Sequence, residues 1–139
     1  MTKILFWALD GALARREPEW RLLDGALAAL RALAAEGWRH VGFAEAPADL
    51  AALGLADLVE PAPAGATTLT GAVDALRPFD QAVVIGSSLE RHIMPAREAS
   101  LASILVGDAS PFAQFCVETP GEIPRALATW GAMRTSFLL

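Results

Sequence analysis

The sequence predicts an α/β fold in which helices cover both faces of a parallel, Rossmann-like sheet, in three layers and in one domain spanning residues 1–139. Three observations lead to this prediction. Short apolar segments alternate with helical segments along the chain, as in strand–helix–strand units. Segments such as Ile4–Leu9 and Ala82–Ile85 lack polar alternation, which is typical of strands buried on both faces. The length suits a single domain, and neither a repeat nor a linker divides it.

Strands are expected where short apolar runs end in turn residues. In chain order they are Ile4–Leu9, Trp38–Ala44, Ala56–Val59, Gln81–Ile85, Ser103–Val106 and Gln114–Val117. Helices are expected where apolar residues recur three and four positions apart. They are Trp20–Glu36, Pro47–Leu53, Thr67–Leu76, Ser88–Ser100 and Glu122–Trp130, with Pro61–Ala66 as a loop and Met133–Leu139 as a tail.

Residues at the helix ends support these boundaries. Gly37 follows the first helix as a C-terminal cap, because glycine accepts the left-handed backbone that ends many helices. Pro47 stands in the first turn of the second helix, where its missing N–H costs nothing. Thr67 or Thr68 precedes the third helix, and a hydroxyl there accepts a hydrogen bond from a helical amide.

Composition excludes several classes of function. The 11 basic residues are scattered and the net charge is −5, so nucleic-acid binding is not expected. No run approaches about 18 apolar residues, so no membrane contact is expected. The first residues lack the basic and apolar regions of a signal peptide, which predicts a cytoplasmic protein. Cys116 is the one cysteine, which excludes a disulfide scaffold and favours a small buried residue.

Candidate site residues follow three of the predicted strands. In parallel sheets of this class, ligands bind at the carboxyl ends of the strands. Asp10 and Gly11 follow the first strand, Glu45 follows the second, and Gly86–Ser88 follow the strand that ends at Ile85. These residues are therefore the first place to look for chemistry.

The same segments resemble the motifs of a known superfamily. Ile4–Leu13 is similar to the first motif of haloacid-dehalogenase-like (HAD) phosphatases, a strand ending in Asp-x-Asp-Gly-Thr-Leu. Gly86–Ile93 is similar to the last motif, Gly-Asp-Ser-x-x-x-Asp-Ile. Leu53–Val59 resembles the stretch before the lysine motif, and Glu118–Pro124 the closing strand and helix. The set covers nearly the whole chain in order, and the short segment after Asp10 resembles that of members without a cap domain.

The first motif lacks what the resemblance assigns to catalysis. A HAD phosphatase uses the first aspartate of this motif as nucleophile and magnesium ligand, and Ala8 stands there. Asp10 matches the second aspartate, the general acid and base, and Ala12 stands at the threonine. A methyl group neither attacks phosphorus nor holds a cation. The nucleophile is therefore expected to be missing.

The other motifs have lost polar residues as well. Ala44 stands at the expected serine or threonine of the second motif, and Ser87 and His92 stand at the two metal-binding acids of the last motif. Lys3 is the only lysine of the chain, so the third-motif lysine is absent from its usual region. Magnesium prefers hard oxygen ligands, chiefly carboxylates and water. These replacements predict no metal and no cofactor.

These differences from the HAD motifs predict a catalytically inactive HAD-like domain, a pseudophosphatase that acts by binding. Its partner is expected to be another protein or a second copy, or a ligand held by Asp10, Gly86, Ser87 and Ser88. Two alternatives stay open. One is a capless HAD phosphohydrolase with an atypical site, which would use Mg²⁺ and a second carboxylate near Asp10. The other is a metal-free binder of a phosphate-containing molecule, held by helix N-terminal amides.

Simpler interpretations compete at each of these positions. Asp10 and Gly11 are typical of a turn, Ser87 or Ser88 of a helix N-cap, and His92 of a surface or capping residue. A catalytic pair of Ser87 with His92 lacks the Gly-x-Ser-x-Gly elbow.

Several further residues are interpreted as structural or solvated and not as part of a site. Glu45 and Glu90 are interpreted as solvated in preference to an acid cluster with Asp10, and His40 as a structural residue within a strand. A receiver-like fold of the response regulators needs paired acids, and only Asp10 is available. The tryptophans are expected mostly in the core: Trp7, Trp20, Trp38 and Trp130. Trp20 could alternatively join an exposed apolar patch with residues of the tail: Met133, Phe137, Leu138 and Leu139.

Overall fold

A computed structural model describes residues 2–15, 19–44, 50–63 and 66–138, with side chains as far as residue 131. Its centre is a six-stranded sheet in the order β5-β4-β1-β6-β7-β8, in which every neighbouring pair is parallel. The strands of this sheet are β1 (Lys3–Ala8), β4 (Arg39–Phe43), β5 (Val59–Pro61), β6 (Gln81–Gly86), β7 (Ala102–Val106) and β8 (Phe115–Val117). A separate antiparallel hairpin pairs β2 (Ala14–Arg15) with β3 (Arg21–Leu22).

In the described part of the chain, four α-helices pack on this sheet. They are α1 (Ala26–Ala35), α2 (Leu69–Leu76), α3 (Met94–Glu98) and α4 (Ile123–Leu138). Helix α1 contacts α4, and α2 contacts α3. Five consecutive residues of β1, Ile4–Ala8, are buried, which requires cover on both faces of the sheet. The predicted α/β fold with a parallel sheet is thus confirmed.

The strand order creates a crevice above the central strand. From β1 the chain crosses to β4 and β5 on one side, then returns to β6 on the other. Phe6 of β1 accordingly pairs with Val41 and with Val84. Connections leave in opposite directions at this point, and ligands of such sheets bind there, outside the carboxyl ends of the strands.

The segment before α1 differs from its prediction. The helix expected from Trp20 begins at Ala26, and Arg21–Leu22 form the second strand of the hairpin. Gly25 has a left-handed φ of 79°, and a Cβ there would lie 2.7 Å from the Cα of Gly121. This close approach to the turn before α4 fixes where the helix starts.

Other boundaries also need correction. The strand expected at Ala56–Val59 lies at Val59–Pro61, and the described part of the helix expected at Pro47–Leu53 is turn, residues 50–54. The helix expected from Ser88 is a wide helical turn, Leu89–Ile93, followed by α3. The predicted tail is instead the last part of α4, whose backbone stays helical to Leu138.

Cys116 is exposed, contrary to the prediction of a buried residue. Its Sγ accepts a hydrogen bond from the amide of Ser110 at 3.2 Å and donates to the carbonyl of the same residue at 3.4 Å. The sulfur thus fastens a surface loop beside β8. Among the described residues no helix is long and apolar enough to cross a membrane.

Candidate functional site

The loop that follows β1 is tied to the loop that follows β6. The hydroxyl of Ser87 donates a hydrogen bond to the backbone carbonyl of Asp10 at 2.8 Å. Gly11 has a φ of 90°, and a Cβ on it would lie 2.4 Å from the Oγ of Ser87. Glycine is therefore required at this position for two reasons: its left-handed backbone conformation and the close packing of Ser87. The two motifs that flank the crevice are joined directly.

His92 folds back onto the start of its own helical turn. Its Nδ1 accepts hydrogen bonds from the amides of Ser87 and Ser88, both at 3.0 Å. Nδ1 therefore carries a lone pair, and the proton of the neutral ring is on Nε2. A Cβ on Gly86 would lie 2.3 Å from the Cβ of His92, so this glycine makes room for the imidazole. The ring also meets the ring of Phe43 edge-on, with 5.4 Å between centroids.

Ser88 is the N-cap of the helical turn. Its hydroxyl accepts a hydrogen bond from the amide of Arg91 at 3.2 Å, as an N-cap serine does. In the same way, Thr68 caps α2 by accepting from the amide of Gly71 at 3.2 Å. Both N-caps that the sequence suggested are confirmed.

A cavity of about 510 Å³ opens at the carboxyl ends of β1, β4 and β6. Its walls combine apolar, hydroxyl-bearing and charged side chains. They are Ala8, Asp10, Gly11, Trp20, Phe43, Ala44, Thr67, Thr68, Leu69, Thr70, Ser87, Ser88, Arg91, His92 and Pro95.

Most of the sequence-predicted site residues meet in this cavity. Ala8, Asp10, Ala44, Ser87, Ser88 and His92 line it. Gly86 is buried behind the imidazole and does not line the cavity. Glu90 is exposed and lies outside the lining, in agreement with a solvated role, and Glu45 lies outside the described residues.

Lys3 lies at the amino ends of the strands, opposite the end at which the cavity opens. It begins β1, whereas the cavity lies beyond the end of that strand, and five residue steps of about 3.3 Å separate Lys3 from Ala8, roughly 17 Å. Its Nζ donates to the carbonyl of Glu36 at 2.9 Å and lies 4.8 Å from the ring centre of Trp38. The single lysine therefore does not reach the site.

The described residues of the cavity do not fit a magnesium ion. Among the described residues no group of three or more His, Cys, Asp or Glu side chains could hold a metal. Asp10 is the one described carboxylate in the lining, and its backbone carbonyl already accepts the hydroxyl of Ser87. Ala8 offers only a methyl group, and the Nδ1 of His92 is engaged with two amides. Magnesium needs several free hard oxygens in octahedral geometry.

Sequence reasoning missed part of the lining. The sequence predicts a helix at Trp20, yet this residue precedes β3 of the hairpin and faces the cavity half-buried. Thr67, Thr70 and Arg91 also line the cavity and are not among the predicted site residues. A usable signal existed: helices of a parallel sheet run back along the strands, so their first residues lie at the carboxyl edge. Residues around the start of α2 could have been found this way.

His40 has a structural role, in agreement with its interpretation. It is 2% exposed, and its Nδ1 accepts the indole N–H of Trp7 at 2.9 Å while its Nε2 donates to the carbonyl of Leu30 at 2.9 Å. Burial lowers the pKa of His40 below its ordinary value because the charged ring would lose its hydration. The neutral imidazole links β1, β4 and α1 in the core.

Solved structures share this fold. A HAD phosphatase from Thermococcus onnurineus has a TM-score of 0.74 at 14% identity, covering 91% of this chain and 98% of that one. A 2-haloacid dehalogenase from Pseudomonas syringae pv. Tomato DC3000 has a TM-score of 0.64 at 23% identity, covering 80% and 55%. An uncharacterized protein from Listeria monocytogenes serotype 4b has a TM-score of 0.68 at 17% identity, covering 93% and 98%. No family model and no curated protein matches the chain. The chain thus has a HAD-like fold.

Proposed function

We propose that this HAD-fold protein is a pseudophosphatase, which acts by binding at its crevice and not by phosphoryl transfer. One observation carries the proposal: Ala8, 2% exposed, ends β1 at the position that the resemblance gives to the nucleophile. Asp10 is the one described carboxylate in the cavity that adjoins it. The methyl group of Ala8 supplies no nucleophile at that position, and the single described carboxylate does not complete a cation site.

The expected loss of rate is large. Phosphoryl transfer depends on positioning and on electrostatic stabilisation of the charged oxygens. Removing one stabilising donor from an active site typically costs ~10²–10³ in rate. Here the resemblance implies that nucleophile, metal and lysine are all gone, since Ala8, Ser87 and His92 replace acids and Lys3 lies at the far edge. No residual metal-dependent activity is expected.

The bond from Ser87 to the carbonyl of Asp10 supports the same proposal. The resemblance implies that this backbone carbonyl would be one of the groups holding a magnesium ion, and here it accepts a hydroxyl donor at 2.8 Å. Ser87 thereby ties together the two loops that flank the crevice. The crevice holds its shape through protein hydrogen bonds, as a binding site requires.

Hydrolysis of p-nitrophenyl phosphate tests the proposal directly. With 5–10 mM Mg²⁺, wild type is expected to release no more p-nitrophenol than the Asp10→Asn variant. The matched control is Glu90→Gln, which removes an exposed carboxylate that does not line the cavity. Turnover that depends on Mg²⁺, disappears in Asp10→Asn and persists in Glu90→Gln would overturn the proposal.

The atypical phosphohydrolase is a second candidate because of one observation. Ala44 lines the cavity, and the next residue in the sequence, Glu45, carries a second carboxylate and lies outside the described residues. This candidate predicts Mg²⁺-dependent turnover that is lost in Glu45→Gln as well as in Asp10→Asn. The first proposal predicts that Glu45→Gln changes no rate.

Binding to a protein partner or to a second copy remains part of the proposal, in the cytoplasm. The apolar patch expected between Trp20 and the last residues involves side chains outside the described part of α4. Light scattering of the purified chain at 10–100 μM tests self-association. A mass near twice 14.6 kDa indicates a homodimer. A mass near 14.6 kDa removes the homo-oligomer and leaves a different partner or a ligand.

A further inference from the structure

We infer that the cavity takes an uncharged aromatic molecule bearing hydroxyl groups, and that it discriminates against the phosphate ester of the same molecule. The inference rests on the proposed binding function and names its ligand class. It reverses what the resemblance to phosphatases suggests, and four properties of the cavity support it.

The first property is that the amides suited to an anion are already used. Backbone amides at the start of a helical segment are the usual donors to a phosphate. Here the amides of Ser87 and Ser88 both donate to the Nδ1 of His92 at 3.0 Å. A phosphate at this point would have to displace the imidazole. The protein's own neutral acceptor thus occupies the anion position.

The second property is charge. The described lining contains one carboxylate, Asp10, and one guanidinium, Arg91, so its formal charges cancel. The described lining therefore has no excess of positive charge to attract a phosphate dianion, which would also lie in the same cavity as the carboxylate of Asp10. Two like charges 4 Å apart repel by about 1 kcal/mol in water and about 4 kcal/mol at an effective dielectric constant of 20. Arg91 offsets only part of a double charge.

The third property is the chemistry of the walls. Half-buried Trp20 and Pro95 provide aromatic and aliphatic surface, while Phe43 and Leu69 are only 4% and 2% exposed. Aromatic side chains favour flat ligands, since offset and edge-on ring contacts add to the burial of apolar area. Hydroxyl groups complete the lining on Thr67, Thr68, Thr70, Ser87 and Ser88. The hydroxyls of Thr68 and Ser88 already accept an N-cap hydrogen bond and can still donate. The hydroxyl of Ser87 already donates to Asp10 and can still accept, so together they suit a ligand that does both.

The fourth property is size. The cavity of about 510 Å³ lies within the ~300–1,000 Å³ of typical small-molecule sites. The volume therefore suits an aromatic alcohol of nucleoside size or smaller.

The test compares alcohols with their own phosphate esters. Binding of adenosine and adenosine monophosphate, and of benzyl alcohol and benzyl phosphate, is measured by ligand-detected NMR in metal-free buffer. Glycerol and glycerol phosphate form the pair without a ring. Each aromatic alcohol is expected to bind about tenfold tighter than its ester, which corresponds to ~1.4 kcal/mol, and glycerol more weakly than both aromatic alcohols.

Two tryptophan variants locate the binding. Trp20→Ala is expected to raise the dissociation constant of adenosine at least threefold, because it removes an aromatic wall of the cavity. Trp38→Ala is the matched control, since Trp38 is also half-buried but contacts Lys3 at the opposite edge. Should Trp20→Ala fail to fold, Ala44→Leu fills the cavity and is expected to have the same effect. Equal weakening in Trp38→Ala would contradict the location.

The outcomes separate the inference from the proposed function. Tighter binding of the phosphate esters, or no binding of either aromatic alcohol at 10 mM, overturns the inference about the ligand. Either result leaves the proposed absence of phosphatase activity standing. Release of inorganic phosphate from benzyl phosphate when Mg²⁺ is added overturns the proposed function itself.

Discussion

Removal of the His92 side chain should convert the crevice into an anion site. In the wild type, the amides of Ser87 and Ser88 donate to the Nδ1 of this residue at 3.0 Å each. His92→Ala deletes the acceptor and leaves both N–H groups at the start of a helical turn that borders the cavity. Such a pair of amides binds phosphate readily.

The magnitude follows from the two hydrogen bonds. Each contributes about 0.5–1.5 kcal/mol, so the variant should lose about 1–3 kcal/mol of unfolding free energy. The lower half of this range is expected, because His92 is only half-buried and water can reach the amides. Phosphate at 100 times its dissociation constant would restore ~2.7 kcal/mol.

The assay is urea denaturation with and without 20 mM phosphate, at an ionic strength held constant with NaCl. Phosphate is expected to stabilise His92→Ala and to leave the wild type unchanged. Leu89→Ala is the matched control, since it shortens an exposed side chain of the same helical turn. Equal stabilisation of the wild type by phosphate would refute the reasoning, because the imidazole would then not block the amides.

Three further predictions concern stability, each measured by urea denaturation. His40→Leu leaves two buried polar partners unpaired and should cost about 2–6 kcal/mol. Because burial lowers the pKa of His40 below its ordinary 6.5, the wild type should lose stability as the pH falls below 6.5, and this component should vanish in the variant. Gly11→Ala should cost more than ~1 kcal/mol, since its Cβ would meet Ser87 in a left-handed backbone. Arg39→Ala should cost less than about 1 kcal/mol, because its ion pair with Glu60 is half exposed. The bond to Arg39 lowers the pKa of Glu60, so that small contribution should disappear at low pH.

The architecture could be predicted because burial on both faces leaves its mark on the sequence. Ile4–Ala8 and Ala82–Gly86 are apolar throughout, and they form the two adjacent central strands. The contact between Asp10 and Ser87 also follows from the parallel arrangement, because the carboxyl ends of adjacent parallel strands lie side by side. Continuous apolar runs thus fixed both the fold and the place of the site.

The local details could not be predicted, because they depend on contacts between distant segments. Leu22 and Leu23 suit the face of a helix, yet the packing of Gly25 against Gly121 delays the helix and leaves room for a hairpin. This hairpin brings Trp20 to the cavity. Periodicity reports a helical pattern but cannot report the competing tertiary contact.

The role of His92 was equally hidden. Its spacing of five residues from Ser87 fits a ligand, a base or a cap. The structure selects the cap because Gly86 leaves space for the ring and because the two amides converge on Nδ1. A glycine in front of the serine pair was the one available signal, and its steric meaning appears only in three dimensions.

The most direct test of the absence of phosphoryl transfer is phosphorus NMR of benzyl phosphate incubated with an equal concentration of the protein and 10 mM Mg²⁺. This measurement detects a single turnover, so even a very slow enzyme is visible. The ester signal is expected to persist for days and to decay no faster than in a protein-free sample. Inorganic phosphate formed in the wild type and absent from Asp10→Asn would contradict the account.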